Sequence, residues 1–430
     1  MSKITKITAR EVLDSRGNPT IEVIVNSEKG MGMGIVPSGA STGSHEALEM
    51  RDDDPKRYRG KGVLKACEKV NKFLSKALQG KEVQNQEEID SIMRVLDGTP
   101  NKSHIGANSI LGVSMAVARA AANEAGVPLY AHLNPKSYIM PVPLMNVLNG
   151  GKHADSGLDI QEFMIIPAGA PTFTEAIRMG SEVFHALGDI LHKHGYKTTV
   201  GDEGGYAPTL KDQEDALNLI LEAVKAAGYK AGKDIFLGID AAASEFYDSK
   251  TKVYNFHIDG KGETLSNAEM VSYWCGLVKK FPIITIEDGL AEDDWAGWQD
   301  FMKKTAKKLQ IVGDDLLVTS SERLQKAINL QAANSILIKL NQIGSLSETM
   351  NTIQLADASN FTSIISHRSG ESEDTFIADL AVAMGTGQIK TGSLSRSERT
   401  AKYNQLMRIE DELGKKAKYL GKEVFFNLSL

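Results

Sequence analysis

Cysteine is almost absent. Cys67 and Cys275 are the only two in 430 residues, too few and too far apart for a disulfide framework or a CxxC-type metal site, so a reducing compartment is expected. Long apolar runs are missing too: Met1 to Arg10 alternates polar and apolar residues without the apolar segment of a signal peptide, and no later run has the length of a bilayer span. A cytoplasmic chain with no membrane partner is the expectation. Positive charge is not in surplus, since the net charge is -6, which excludes the basic field that draws nucleic acid. No G-x-G-x-x-G follows the first strand of the α/β region, which speaks against dinucleotide binding. What is present is ordinary in amount, 42% hydrophobic and 24% charged. The length exceeds that of most single compact domains, so two domains are expected.

From Ile4 to Ile24 polar and apolar residues alternate around a turn at Asp14-Ser15-Arg16-Gly17-Asn18-Pro19, the pattern of an antiparallel hairpin. From Tyr58 to about Glu124 the period becomes helical, with Val63, Ala66, Val70, Leu74 and Leu78 on one face and an Ala-rich run from Ala107 to Ala125. Strands followed by helices make a small α+β domain. The stretch from Asn134 to Pro143 reads as a linker, dividing the chain into residues 1–136 and 137–430. Beyond it, β-branched runs alternate with amphipathic stretches: Thr198 to Val200, Ile235 to Ile239, Ile283 to Ile286, Gln310 to Val312, Ser335 to Ile338 and Phe361 to Ile365. Such βα units close into a (β/α)8 barrel or lie in an open doubly wound sheet, and the absent dinucleotide motif favours the barrel.

Successive apolar runs end on ionisable residues: Asp240, Glu287, Asp314, Lys339, His367 and Lys390. The last four intervals, 27, 25, 28 and 23 residues, are each about one βα unit, and the longer first interval has room for a hairpin pattern between Phe246 and Ile258. Strand ends of a parallel barrel converge on one face, where active sites of this architecture lie. Singly, an acidic residue at a strand end is more often a helix cap or turn residue. Together, Asp240, Glu287 and Asp314 would repel one another and raise each other's pKa unless a cation held them ionised. A hard cation such as Mg²⁺ suits an all-carboxylate set.

Lys339 stands in an apolar run, either as a lysine whose stem is buried and whose head reaches water or, beside a divalent cation in a dry site, as a base at neutral pH. Ser366-His367-Arg368-Ser369-Gly370 offers Arg and hydroxyl donors that can grip a phosphate, or is an exposed polar loop. Gly201-Asp202-Glu203-Gly204-Gly205 has the composition of a turn. Ser38-Gly39-Ala40-Ser41-Thr42-Gly43 has that of a connector or a closing lid. His153, after Asn149-Gly150-Gly151-Lys152, is equally open between a structural and a site role.

Five segments decide what spacing leaves open. Glu11 to Thr20, Ser38 to Gly43, Gly201 to Gly205, Ser366 to Glu371 and Gln388-Ile389-Lys390-Thr391-Gly392 resemble the signature segments of enolases, in order from one end of the chain to the other. The resemblance implies a (β/α)8-type barrel with an antiparallel first strand pair, preceded by the small α+β domain, and assembly as a homodimer or an octamer of dimers. It implies the reversible dehydration of 2-phosphoglycerate to phosphoenolpyruvate, in glycolysis and gluconeogenesis, with two Mg²⁺ per active site during turnover. It makes Asp240, Glu287 and Asp314 the ligands of one Mg²⁺ and Ser41, on a mobile loop, a ligand of the second. Lys339 becomes the base for the C2 proton and Glu203 the acid for the departing C3 hydroxyl. Arg368 and Ser369, with Ser366 and His367 beside them, become the phosphate grip. Lys390 becomes the partner of the substrate carboxylate, with His153, Gln161 and Glu162 on the opposite wall.

Two rival enzymes share parts of this set. An acid-sugar dehydratase of the same superfamily has no need of a phosphate grip, and a Schiff-base aldolase would turn over without magnesium. A secondary binding role, in which enolases at the cell surface or secreted capture plasminogen, is a further expectation from the resemblance. Here the chain ends Phe425-Phe426-Asn427-Leu428-Ser429-Leu430, without a terminal lysine.

Overall fold

The computed structural model describes residues 2–40, 43–154, 156–305 and 307–429. The first turn is built by its own side chain: Asp14 Oδ1 accepts the backbone N–H of Arg16 at 2.9 Å and of Asn18 at 2.8 Å. Strands Ile4–Leu13 and Pro19–Ser27 pair antiparallel from that turn, and Met31–Ile35 adds a third. Ile21, Val23 and Val25 alternate inward and are fully buried on the side of helix Ala107–Ala125. The third strand alternates glycine with methionine because the helix lies on its backbone: a Cβ at Gly32 would stand 2.0 Å from the Ala116 carbonyl oxygen.

Eight strands close the barrel: Val142–Asn149, Glu162–Ile166, Phe236–Asp240, Ile283–Glu287, Gln310–Gly313, Ser335–Ile338, Thr362–Ser366 and Gln388–Lys390, called strands one to eight below. Strand two runs antiparallel to both its neighbours, and every other neighbouring pair is parallel. The run from Thr198 to Val200 is not a strand. It lies in the irregular connection between helices Phe173–Lys193 and Gln213–Ala226, where Val200 makes one isolated bridge to Tyr206, and the barrel closes without it. The stretch expected to be a linker is partly structured: Ile139–Met140 pairs with Lys418–Tyr419, and strand one starts at Val142. The hairpin expected between strands three and four is a three-stranded sheet, Tyr247–Asp248, Val253–Ile258 and Lys261–Leu265.

Inside the barrel, Leu144, Met164, Ile166, Ile284, Val312, Leu337 and Ile364 form an apolar layer, closed below by Val424 and Phe425. Under it is an uncharged polar floor. Gln310 and Gln388 exchange amide hydrogen bonds at 3.0 and 2.9 Å, Gln310 Nε2 donates to Thr285 Oγ1 at 3.1 Å, and Thr362 Oγ1 donates to Gln310 Oε1 at 2.8 Å. The N-terminal sheet and helices are joined to the barrel by charge and backbone together. Arg119 forks onto Asp374 at 2.6 and 2.7 Å, and Ser38 and Gly370 exchange backbone hydrogen bonds at 2.8 and 2.9 Å. Among the described residues no helix is long and apolar enough to cross a membrane.

Candidate active site

Asp240 and Glu287 end strands three and four, Asp314 and Lys339 directly follow strands five and six, His367 follows strand seven, and Lys390 ends strand eight. The six positions therefore stand around one mouth in strand order. Strand two runs backwards, so its first residue Glu162, paired with Asp240, is at the mouth, and Gln161 precedes it. The connection between helices Phe173–Lys193 and Gln213–Ala226 brings Glu203 there, and the turn Gly151–His153 after strand one brings His153. Glu287 excepted, these residues line one cavity together with Ser366, Arg368 and Ser369. Glu287 reaches that site through Lys390. Ser41 lies outside the described residues.

Lys390 Nζ is 2.8 Å from both Glu287 oxygens, 2.9 Å from Asp240 Oδ2 and 3.2 Å from Glu162 Oε1, with its side chain 2% exposed. Burial disfavours the ammonium, but the carboxylates outweigh it and hold Lys390 well above its ordinary value. Burial and the charge of Asp240 push Glu287 well up. Asp240 departs from the expected mutual raising: burial pushes it up, yet Lys390 wins and holds it low. Lys339 Nζ is 2.5 Å from Asp314 Oδ2. Burial pulls its ammonium down, Asp314 outweighs that, and the lysine is held above its ordinary value. The lowering expected for a base thus depends on the positive charge of a bound cation.

On the far wall, His153 Nδ1 lies 3.7 Å from both Glu162 Oε1 and Glu203 Oε1, and Asn146 Nδ2 donates to Glu203 Oε2 at 3.0 Å. Burial, reinforced by the charge of Glu203, holds the Glu162 carboxyl well above its ordinary range. At Glu203 burial is opposed by the rings of His367 and His153 and by Arg399 and Lys390, which together hold it low. Burial pulls His367 well down. Arg399 stands 2.6 Å from His367 Nδ1 and can only donate, so the neutral ring carries its proton on Nε2, which faces Glu203 Oε2 at 3.5 Å.

Arg368 is buried and forks onto Glu46, with both contacts at 3.0 Å, and donates to Asn341 Oδ1 at 3.0 Å. Ser369 Oγ accepts the Ala40 N–H at 2.6 Å and an Arg16 N–H at 3.4 Å. Arg368 and Ser369 are thus clamped by the N-terminal residues Arg16, Ala40 and Glu46. Glu46, Asn341 and Arg399 escaped the sequence reading because packing of distant segments, not local spacing, brings them here. Asp288 and Asp315 also line the cavity, and their signal was available: each directly follows a carboxylate already singled out.

The donor set fits a hard divalent cation. Carboxylate oxygens of Asp288, Asp314 and Asp315 lie within 4.8 Å of one another, and so do ligand atoms of His153, Glu162 and Glu203. Burial and the charges of Asp315 and Asp314 push Asp288 well up, and burial and the charge of Asp314 push Asp315 up to about 8, as expected of carboxylates crowded without a cation. Asp288 is also occupied structurally, since its oxygens accept the backbone N–H groups of Asp314 and Asp315 at 2.9 and 2.8 Å. Comparison with protein families matches residues 4–133 to the enolase N-terminal domain and residues 137–428 to the enolase C-terminal TIM barrel domain.

Proposed function

Because the chain belongs to the enolase family, with a barrel whose mouth carries acidic groups able to hold a metal, we propose that it catalyses the reversible dehydration of 2-phosphoglycerate to phosphoenolpyruvate. The observation that carries this reading is the division of one cavity into two kinds of wall. Lys339 and Asp314 stand at strands six and five, and strand two, which brings Glu162, lies across the barrel from strand six. A base and an acid on opposite sides of a bound substrate are what an elimination requires. Arg368 and Ser369 add the phosphate contact that separates this reaction from acid-sugar dehydration.

Lys339 takes the C2 proton. The electron pair moves toward the substrate carboxylate, which Lys390 faces as a fixed positive charge in a buried setting. Loss of the C3 hydroxyl as water needs a proton, which Glu203 gives. A polyanionic substrate beside Glu203 and Glu162 disfavours their charged forms and so favours a proton on Glu203. Asp240, Glu287 and Asp314 would hold one Mg²⁺ and Ser41 would help to hold another; when bound, the ions oppose the negative charge that builds on the substrate carboxylate. In this reading residues 1–136 carry the closing loop and 137–430 the catalytic barrel. A cytoplasmic homodimer, or an octamer of dimers, in glycolysis and gluconeogenesis is part of the same proposal, as is plasminogen capture at the cell surface as a second role.

The test is direct. Purified chain with 2-phosphoglycerate and Mg²⁺ should form phosphoenolpyruvate, and excess EDTA should abolish this until Mg²⁺ is restored. Turnover in the chelated enzyme would overturn the metal assignment, and dehydration of acid sugars alone would overturn the substrate.

A further inference from the structure

Thr319 and Gln342 belong to no motif, yet they join the base to a carboxylate beside it. Thr319 Oγ1 accepts the Lys339 backbone N–H at 2.9 Å and lies 2.8 Å from Gln342 Oε1. Gln342 Nε2 donates to Asp314 Oδ1 at 2.8 Å, and Asp314 Oδ2 receives Lys339 Nζ at 2.5 Å. The four residues close a ring whose protons are all assigned. An ionised carboxylate only accepts, so Gln342 turns its NH₂ toward Asp314 and its carbonyl toward Thr319. The hydroxyl therefore donates to Gln342 and receives from Lys339. Asp314 thus spends one oxygen on the lysine and the other on a neutral amide.

The backbone is bent to make this ring. Val318 and Thr319 have φ of 42° and 55°, and β-branched residues rarely enter the left-handed region. Strain of this kind persists where the surroundings over-determine the conformation, commonly at functional sites. Thr319 and Gln342 are buried, at 0% and 1% exposure, and neither is among the residues lining the cavity. Their influence therefore passes through the neighbours they bond, Lys339 and Asp314 and, from Gln342 Nε2 at 3.4 Å, Glu46.

We infer that Thr319 and Gln342 are positioning residues that fix the Lys339 amine against Asp314, and that they act on proton transfer more than on substrate capture. The inference rests on reading Lys339 as the base. In Thr319→Val, kcat and the exchange of the C2 proton with D₂O should fall together by about 10–100-fold, while KM stays within about threefold. Thr319→Ser, which keeps the hydroxyl, should recover most of the loss. Gln342→Met should weaken Mg²⁺ binding, read by calorimetry, by about tenfold or more, because Asp314 loses the donor that orients it. Wild-type exchange in Thr319→Val, or equal impairment in the Ser and Val variants, overturns the inference. If Thr319→Val fails to fold, Gln342→Met decides: unchanged exchange together with unchanged Mg²⁺ affinity overturns it. A wild-type chain that binds Mg²⁺ but leaves 2-phosphoglycerate untouched would defeat the proposed function instead, and Mg²⁺ affinity in Gln342→Met would still judge the ring.

Discussion

Strand eight runs from Gln388 to Lys390, and strand five from Gln310 toward Asp314, so the same two strands place polar side chains at both ends of the barrel. At the floor the polar groups are neutral and satisfy one another: the two amides exchange hydrogen bonds, and Gln310 also donates to the Thr285 hydroxyl and accepts from that of Thr362. At the mouth they are charged and unfinished. Lys390 serves three carboxylates, and His153 Nδ1, Gln161 Oε1 and Glu162 Oε2 are buried without a hydrogen-bond partner among the described residues. A buried hydrogen bond between matched partners stabilises by about 0.5–1.5 kcal/mol net, whereas a polar group buried without a partner is destabilising unless a ligand completes it. The floor therefore holds the barrel together, and the mouth is kept at a loss for what it binds.

The sharpest way to break this contrast is at the mouth. Lys339→Ala should lose both phosphoenolpyruvate formation and exchange of the C2 proton, by about 10²–10⁴-fold or more. Glu203→Gln should keep exchange while phosphoenolpyruvate formation collapses. Mass spectrometry of 2-phosphoglycerate recovered from D₂O reads both, and exchange that survives in Lys339→Ala but not in Glu203→Gln would reverse the two roles.

Next in size is the removal of the buried ammonium. Lys390→Met leaves Asp240, Glu287 and Glu162 facing one another and should destabilise the metal-free chain by about 3–5 kcal/mol. Mg²⁺ should restore part of that loss, so the variant's melting temperature should rise more on adding Mg²⁺ than that of the wild type. Equal shifts in the two proteins would show that the lysine and the cation do not answer the same charges.

The smallest effect belongs to the floor. Gln388→Leu leaves Gln310 half satisfied and should cost about 1–3 kcal/mol in denaturant titrations. Turnover per folded molecule should be unchanged. Because the four floor side chains do not titrate, that loss should be constant between roughly pH 5 and 9. A floor variant that folds normally and loses turnover would erase the distinction between the two ends.

Much of the mouth was legible because a parallel barrel converts one-dimensional spacing into position. Asp240, Glu287, Asp314, Lys339, His367 and Lys390 were found as run ends and stand at consecutive strand ends. The rule fails at strand two, which runs backwards: Gln161 precedes the strand and Glu162 begins it, and only the family resemblance pointed to them. Glu203 lies in an irregular connection, where no period exists to read. The same connection misled the reading of Thr198 to Val200, whose β-branched residues found no neighbouring strand. The floor was invisible for another reason. Gln310 and Gln388 look like ordinary strand starts until closure of the barrel sets them side by side.

The pairing of Glu46 with Arg368 spans 322 positions of the chain, and it sets an order in time. At about 5–20 residues per second on the ribosome, Glu46 is made about 16–64 s before its partner. Through that interval the Glu46 carboxylate has the Gly43 N–H beside it but no guanidinium to face. A nascent chain that has not reached Arg368 therefore holds one side of this contact without the other. Completion of the enzyme waits on the final seventh of its synthesis, when a segment made near the end meets one made near the beginning.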